Sequence, residues 1–277
     1  MPRAISQDAL ETYRRDGYCF PVPVFSPDEV ARYGRCLEGH ETGAGRPLQG
    51  NHRHKAHLLF SWVDEIVHHP KILDAAEDVL GPDLLCWTTN FFIMEANSPG
   101  FVSWHQDAYY WGLNKDEVMT AWLALSPADL ESGCMKFIPG SHRQDHLKHV
   151  DTFHKDNLLS RGQEIAVEVD EAKAVCCILD PGEMSLHHVK LMHCSGPNRS
   201  NGRRIGLALR YIPTSVKQLK TRDSAMLVRG VDRYHHFDLE PRPKHDLDDA
   251  ALAAHADAVG RQVKALYAGT DKQEFRA

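Results

Sequence analysis

No stretch of the 277-residue chain holds the roughly 18 to 20 consecutive apolar positions of a membrane-spanning helix. The opening residues, MPRAISQDALETYRRDG, lack the apolar core of a signal peptide, so a cytoplasmic location without membrane partners is expected. Cysteine is scarce and irregular: seven residues, at 19, 36, 86, 134, 176, 177 and 194, form an odd set without CxxC spacing. A disulfide framework would leave a different pattern, and free thiols are expected. Positive charge is not concentrated either. The formal net charge is −6 with Lys and Arg scattered, which offers no basic stripe to a phosphate backbone, so nucleic acid is not an expected partner. Internal repeats and low-complexity segments are absent, which excludes repeat arrays and compositionally biased tracts.

What the chain does hold is an ordinary apolar fraction of 42%, enough for a substantial core, and 18 histidines, which point toward metal or proton chemistry. A single domain over residues 1–277 is the expected organisation. Residues 1–82 read as a mainly helical lid and support. Leu10 and Tyr13 share one face of a helix over 6–16, with a short strand over 18–22 behind it. Ser26-Pro27-Asp28-Glu29 has the residues of a capping box, and a helix from Pro70 should stop at Gly81. From 83 to 213 the texture changes to short β-type runs broken by Gly, Pro, Ser and Asn. Strands are expected at 84–96, 101–105, 119–126, 134–138, 164–169, 174–178, 182–188 and 203–212, with the loop 139–163 over the barrel mouth. This pattern predicts a mainly β jelly roll with flanking helices. Residues 214–277 read as a C-terminal extension with a helix over 248–267.

Within the core, His105-Gln106-Asp107 ends the apolar run Phe101-Val102-Ser103-Trp104, and strand alternation sends residues 105 and 107 to one face. A His-x-Asp pair alone is commonly a hydrogen-bonded surface pair, so a metal site needs a third ligand from a distant strand. His193, just after the strand that begins at Gly182, supplies one. Two histidines and one carboxylate form a facial set that holds ferrous iron and leaves positions open for a chelating cosubstrate and dioxygen. A structural zinc site is closed. Arg204 follows on a strand where Ile205, Leu207 and Leu209 alternate with Gly206, Ala208 and Arg210. Facing the interior, its guanidinium fork suits the far end of a dicarboxylate. His187 and His188 read as packing or supporting groups, His142 as a turn residue, and His146, His149 and His154 as loop residues.

Taken in order, these residues resemble the phytanoyl-CoA dioxygenase family of iron(II), 2-oxoglutarate oxygenases, over most of the chain. The matching segments are Tyr13-Arg14-Arg15-Asp16-Gly17-Tyr18, Trp104-His105-Gln106-Asp107, Thr120-Ala121-Trp122, and Ser132-Gly133-Cys134-Met135 with Pro139-Gly140-Ser141-His142. The most specific is His193-Cys194-Ser195-Gly196-Pro197-Asn198-Arg199-Ser200, followed by Arg203, Arg204 and Arg210-Tyr211. The resemblance implies a cupin-like double-stranded β-helix and iron(II) on His105, Asp107 and His193. It also implies 2-oxoglutarate with its distal carboxylate on Arg204, beside Ser195 and Trp122, and dioxygen consumed with release of succinate and carbon dioxide. Similar halogenating proteins replace the carboxylate ligand with a small residue. Asp107 is kept here, which favours hydroxylation over halogenation, while ring formation, desaturation or epoxidation would need no different ligands.

For the substrate, Tyr109 and Tyr110 follow the metal motif and are expected at the pocket rim. Asn51 and Arg53, in the run Asn51-His52-Arg53-His54-Lys55, and Arg161 and Gln163, at the end of the long loop, are candidate anchors for an anionic group. Segments 53–57, 104–113 and 161–165 resemble a bacterial branch that includes aminoalkylphosphonate hydroxylases, which implies a small polar anion or zwitterion as substrate. Two other readings stand beside it. One is a tailoring oxygenase for a bulky or carrier-tethered natural-product intermediate; the other is a cupin-like binding module without turnover, against which Arg204 argues. The sequence sets no oligomeric state.

Overall fold

The computed structural model describes residues 4–268 and 275. The chain opens with α1 (Gln7–Asp16), β1 (Tyr18–Pro23), α2 (Pro27–Ala44), α3 (Ser61–Val67) and α4 (Pro70–Leu80). Next come β2 (Leu84–Met94), β3 (Val102–His105), α5 (Ala108–Trp111), β4 (Met119–Ala124), β5 (Met135–Phe137), β6 (His149–Asp151) and β7 (Gln163–Ile165). β8 (Val175–Cys177), β9 (Glu183–His188), β10 (His193–Ser195), β11 (Arg204–Pro213), β12 (Ser224–Arg229), β13 (Asp238–Leu239) and α6 (Asp249–Leu266) complete it. Seven strands form one sheet in the order β1-β9-β4-β11-β2-β12-β13, four form a second in the order β3-β10-β5-β8, and β6 pairs with β7. The architecture is the jelly roll with flanking helices that the strand pattern predicts.

Alternation along the strands decides what each face meets. Ala121, Leu123, Leu186, Leu207 and Leu209 point outward and share one buried cluster with Trp62 and Ile66 of α3 and Ile72 and Ala76 of α4. Trp122, Ala124 and Ala208 point the other way, toward Met135, Phe137 and Cys177 of the smaller sheet. Helices therefore cover the outer face, and the inner face is left to line the barrel.

Local signals set several boundaries. The Ser26–Glu29 capping box forms, Gly17 ends α1 in the left-handed region at φ 87°, and α4 runs from Pro70 up to Gly81. Six elements, α3, α5, β6, β10, β12 and β13, lie outside the sequence expectation. α3 is buried nearly all round and has no side-chain cap, so it carries neither amphipathic period nor start signal. β10 is three residues long and exists through its pairing with β3 and β5. β12 pairs antiparallel with β2 and carries the large sheet beyond residue 213. The long loop holds β6, which pairs with β7 at its far end. Among the described residues all seven cysteines are free thiols, and no helix is long and apolar enough to cross a membrane.

A buried ion pair ties β12 and β13 to the N-terminal half. Lys55 Nζ donates to Glu240 Oε1 (2.5 Å), Trp87 O (2.8 Å) and Ser224 O (3.0 Å), while Glu240 Oε2 meets His57 Nε2 at 3.1 Å. Burial works to raise the Glu240 carboxyl, but Lys55 and His57 hold it down at about 2. A carboxyl lowered in the fold contributes stability above its ordinary value of 4.5 and loses it as pH falls toward 2. Glu240→Ala leaves Lys55 buried without its counter-charge and is expected to cost about 3–5 kcal/mol in denaturant unfolding. Glu240→Gln is expected to flatten the dependence of stability on pH across that acid window. An unchanged slope would show that the pair is not coupled to folding.

Candidate metal centre

β3 delivers His105, Asp107 sits two residues on at the start of α5, and β10 sets His193 directly opposite His105 in the antiparallel ladder. One ligand atom from each of the three lies within 4.8 Å of the others, and all three residues are buried. His105 Nδ1 meets Ser103 O (2.9 Å) and His193 O (3.0 Å), and His193 Nδ1 meets Leu191 O (2.9 Å). Carbonyls only accept, so Nδ1 carries the proton in each ring and Nε2 keeps its lone pair. His105 Nε2 then faces Asp107 Oδ1 at 3.4 Å, two acceptors in an arrangement that a cation between them satisfies. Asp107 Oδ2 is buried without a hydrogen-bond partner. Burial works to raise the Asp107 carboxyl, but Arg210, His105 and His193 hold it well below the ordinary carboxylate range. Burial, and then His105, pushes His193 well below its ordinary value. An ionised carboxylate and two imidazole lone pairs converging on one point are the donor set of a ferrous facial site.

From this point a narrow cavity of 30 Å³ runs into the barrel, lined among others by Thr120, Trp122, His187, Ser195 and Arg204. Arg204 is only 1% exposed. Its Nη1 donates to Gly133 O and to Ser195 Oγ (2.6 Å), its guanidinium lies 5.7 Å from the Trp122 ring centre, and its Nε has no partner. Burial pushes it down to about 10, and among the described residues no carboxylate pairs with it. Gly206 makes this packing possible: a Cβ there would collide with the Trp122 indole, which lies against β11 between Arg204 and Ala208. Arg204, Ser195 and Trp122 thus come together around one buried guanidinium that no carboxylate of the described residues neutralises.

A wider cavity of 90 Å³ opens on the other side of Asp107 and Arg210, which line both spaces. Of the six candidate substrate residues, Arg53, Tyr110 and Gln163 line it, together with His54, Asn90 and Phe275. Asn51, Tyr109 and Arg161 do not. Tyr109 is 38% exposed and packs edge-on against Tyr110 and over His149. Asn51 lies behind the wall, where its carbonyl accepts from His255 Nε2 at 3.2 Å. Arg161 is turned away because its donors are engaged by Asp151 (2.6 Å), Leu266 O (2.9 Å) and Ala268 O (2.9 Å). It pins the end of the long loop to the end of α6 and lies over the Tyr110 ring.

A second buried guanidinium, to which the sequence alone assigns no site role, is Arg210. Its Nη1 donates to Asn90 Oδ1 at 2.5 Å, its Nη2 is 3.7 Å from Asp107 Oδ2, and its Nε has no partner. The signal was present in the alternation of β11, which puts residues 204, 206, 208 and 210 on one face. Arg203, on the opposite face, is held instead by Glu41 and Glu95.

Residues 13–206 match the phytanoyl-CoA dioxygenase family. A probable alpha-ketoglutarate-dependent hypophosphite dioxygenase of Stutzerimonas stutzeri is 28% identical over 221 residues, 72% of this chain and 76% of that protein. The chain spans about half the length of other curated relatives. Among solved structures, the apo form of ThoJ, a non-heme monooxygenase, is 40% identical over 94% of this chain and 97% of its own, with a TM-score of 0.82. CytC3 with Fe(II) and alpha-ketoglutarate is 22% identical over 89% of this chain and 97% of its own, with a TM-score of 0.65, a likeness of fold. The chain belongs to the phytanoyl-CoA dioxygenase family, and it is an iron(II)- and 2-oxoglutarate-dependent oxygenase.

Proposed function

We propose that this oxygenase hydroxylates a small anionic or zwitterionic metabolite, such as an aminoalkylphosphonate, with iron on His105, Asp107 and His193 and 2-oxoglutarate on Arg204. Iron(II), 2-oxoglutarate and dioxygen together supply the oxidising power, with succinate and carbon dioxide released. The protein's part is positioning. The two Nδ1–carbonyl contacts fix both imidazoles with Nε2 toward the metal. Arg204, with Ser195 Oγ and the Trp122 ring beside it, receives the distal carboxylate of the cosubstrate. The surrounding β-barrel keeps water from that end.

The substrate class rests on one observation: the two joined cavities are lined by three arginines, Arg53, Arg204 and Arg210, against one carboxylate, Asp107. After 2-oxoglutarate has matched Arg204, the outer cavity still has positive charge to match. Arg210, with its unpartnered Nε, is the anchor offered to a substrate anion. Tyr110, Trp111 and Phe275 add an aromatic wall for the ammonium end of a zwitterion. The hypophosphite dioxygenase likeness supports the same direction, since its named substrate is a small oxyanion.

Under argon, wild-type protein with Fe(II) and 2-oxoglutarate is expected to show the weak visible metal-to-ligand band of a bidentate 2-oxo acid, and His105→Ala and His193→Ala to lose it. Arg204→Ala should keep stoichiometric iron but weaken 2-oxoglutarate binding roughly ten- to hundredfold, the equivalent of about 1.5–3 kcal/mol. Normal iron content in both histidine variants would remove these residues from the metal.

For the substrate, a panel of aminoalkylphosphonates, quaternary ammonium analogues, matched carboxylates and acyl thioesters is to be read by succinate formation and a mass gain of one oxygen. Turnover is expected with a small anion, and Arg210→Gln should raise its KM at least roughly tenfold while leaving the iron content intact. Coupled turnover confined to neutral compounds or long thioesters would overturn this substrate class.

A further inference from the structure

The inner face of the large sheet carries two more polar groups whose partners are missing. Thr120 on β4 and His187 on β9 are 1% and 2% exposed, yet Thr120 Oγ1 and His187 Nδ1 have no hydrogen-bond partner among the described residues. The two are directly opposite in the β4–β9 ladder, and neither bonds to the other. Both line the narrow cavity that also holds the three candidate ligands and Arg204. Leaving two such groups unsatisfied forfeits the hydrogen bonds each made to water in the unfolded chain. Native interiors seldom do this unless a ligand or water occupies the space.

Their level in the barrel identifies what belongs there. Thr120 is also directly opposite Arg210 in the β4–β11 ladder, and Arg210 is the guanidinium beside Asp107. The His187 ring centre is 5.1 Å from that of His193. Thr120 and His187 therefore stand at the metal end of the cavity. Arg204 leaves β11 at the other end, three inward-facing positions along the strand, with Trp122 between. A dicarboxylate whose distal end is on Arg204 brings its other end to Thr120 and His187. A hydroxyl and an imidazole N–H are both donors to a carboxylate oxygen.

We propose that Thr120 and His187 are positioning residues for the 2-oxo acid end of the cosubstrate. They donate hydrogen bonds to its C-1 carboxylate and so fix how the chelate lies on the metal. The proposal rests on the assignment of iron and 2-oxoglutarate to this cavity. It adds a second anchoring point, independent of Arg204, at the opposite end of the same molecule.

The test uses the iron-loaded, oxygen-free protein and two ligands, 2-oxoglutarate and 4-oxopentanoate, which keeps the distal carboxylate and the ketone but has no C-1 carboxylate. Thr120→Val and His187→Phe are expected to weaken 2-oxoglutarate binding roughly tenfold each by calorimetry and to shift the visible metal-to-ligand band, with iron stoichiometry unchanged. Neither should alter the affinity for 4-oxopentanoate by more than about twofold, and Thr120→Ser, which keeps the hydroxyl, should restore binding of 2-oxoglutarate. If His187→Phe does not fold, the Thr120→Val and Thr120→Ser pair decides the matter. Equal weakening of both ligands would overturn the proposal, as would variants that lose thermal stability with unchanged 2-oxoglutarate affinity, the signature of a buried water only. A wild-type protein without the band would overturn the iron assignment itself and this proposal with it. A normal wild-type band with indistinguishable variants overturns this proposal alone.

Discussion

Arg204 and Arg210 leave the same face of β11 and end inside the barrel, where water cannot solvate them and one carboxylate, Asp107, stands near the second alone. A buried charge without a partner is costly, and a divalent metal added between His105, Asp107 and His193 makes the excess of positive charge larger. The interior is thus built to be completed by anions. A dicarboxylate matches Arg204 and one of the metal's two positive charges, Asp107 matches the other, and an anionic substrate in the outer cavity answers what remains at Arg210.

The fold supplies that constraint through strand alternation. β11 lies in the middle of the large sheet, paired with β4 on one side and β2 on the other. Its outward residues are locked against α3 and α4, so a slip by one position would drive both arginines into that apolar layer and turn the leucines between them into the barrel. Gly206 lets Trp122 pack flat across the strand, and Trp122 in turn walls one side of Arg204. On the facing sheet, the pairing of β10 with β3 brings His193 to His105. The ends of the molecule close the outer cavity, with the tip of α6 held by Arg161 and Phe275 stacked on His54 at 3.7 Å between ring centres.

Much of this was legible in the sequence, and the reasons differ by element. Helix limits at Ser26, Pro70 and Gly81 are local chemistry, readable from a few residues. The jelly roll follows from short β-type runs, and the metal cluster from its residue types and the need for a third ligand, although β3 ends at His105 and Asp107 reaches the site from the helical start of α5 rather than by strand alternation. β10 and β12 were not legible, because each is defined by a partner strand far away in the chain and carries little signal of its own. Arg161 and Asn51 look like anion anchors in one dimension. The structure uses Arg161 on Asp151 and on carbonyls at the end of α6, contacts that no spacing rule foretells. Arg210 and Thr120 are the converse case: the period of two that places Arg204 and Trp122 puts both on the inner face, yet the sequence assigns neither a site role, because a polar residue on a strand ordinarily faces solvent.

The most direct test of the anion-completed iron site is an anaerobic crystal structure of the protein with Fe(II) and 2-oxoglutarate. One metal ion is expected on His105, Asp107 and His193, with the dicarboxylate lying along the inner face of β4 and β11 and its far end on Arg204. The outer cavity at Arg210 should remain open to a substrate. A dicarboxylate bound at Arg210 instead, or a metal held by any other set of residues, would contradict it.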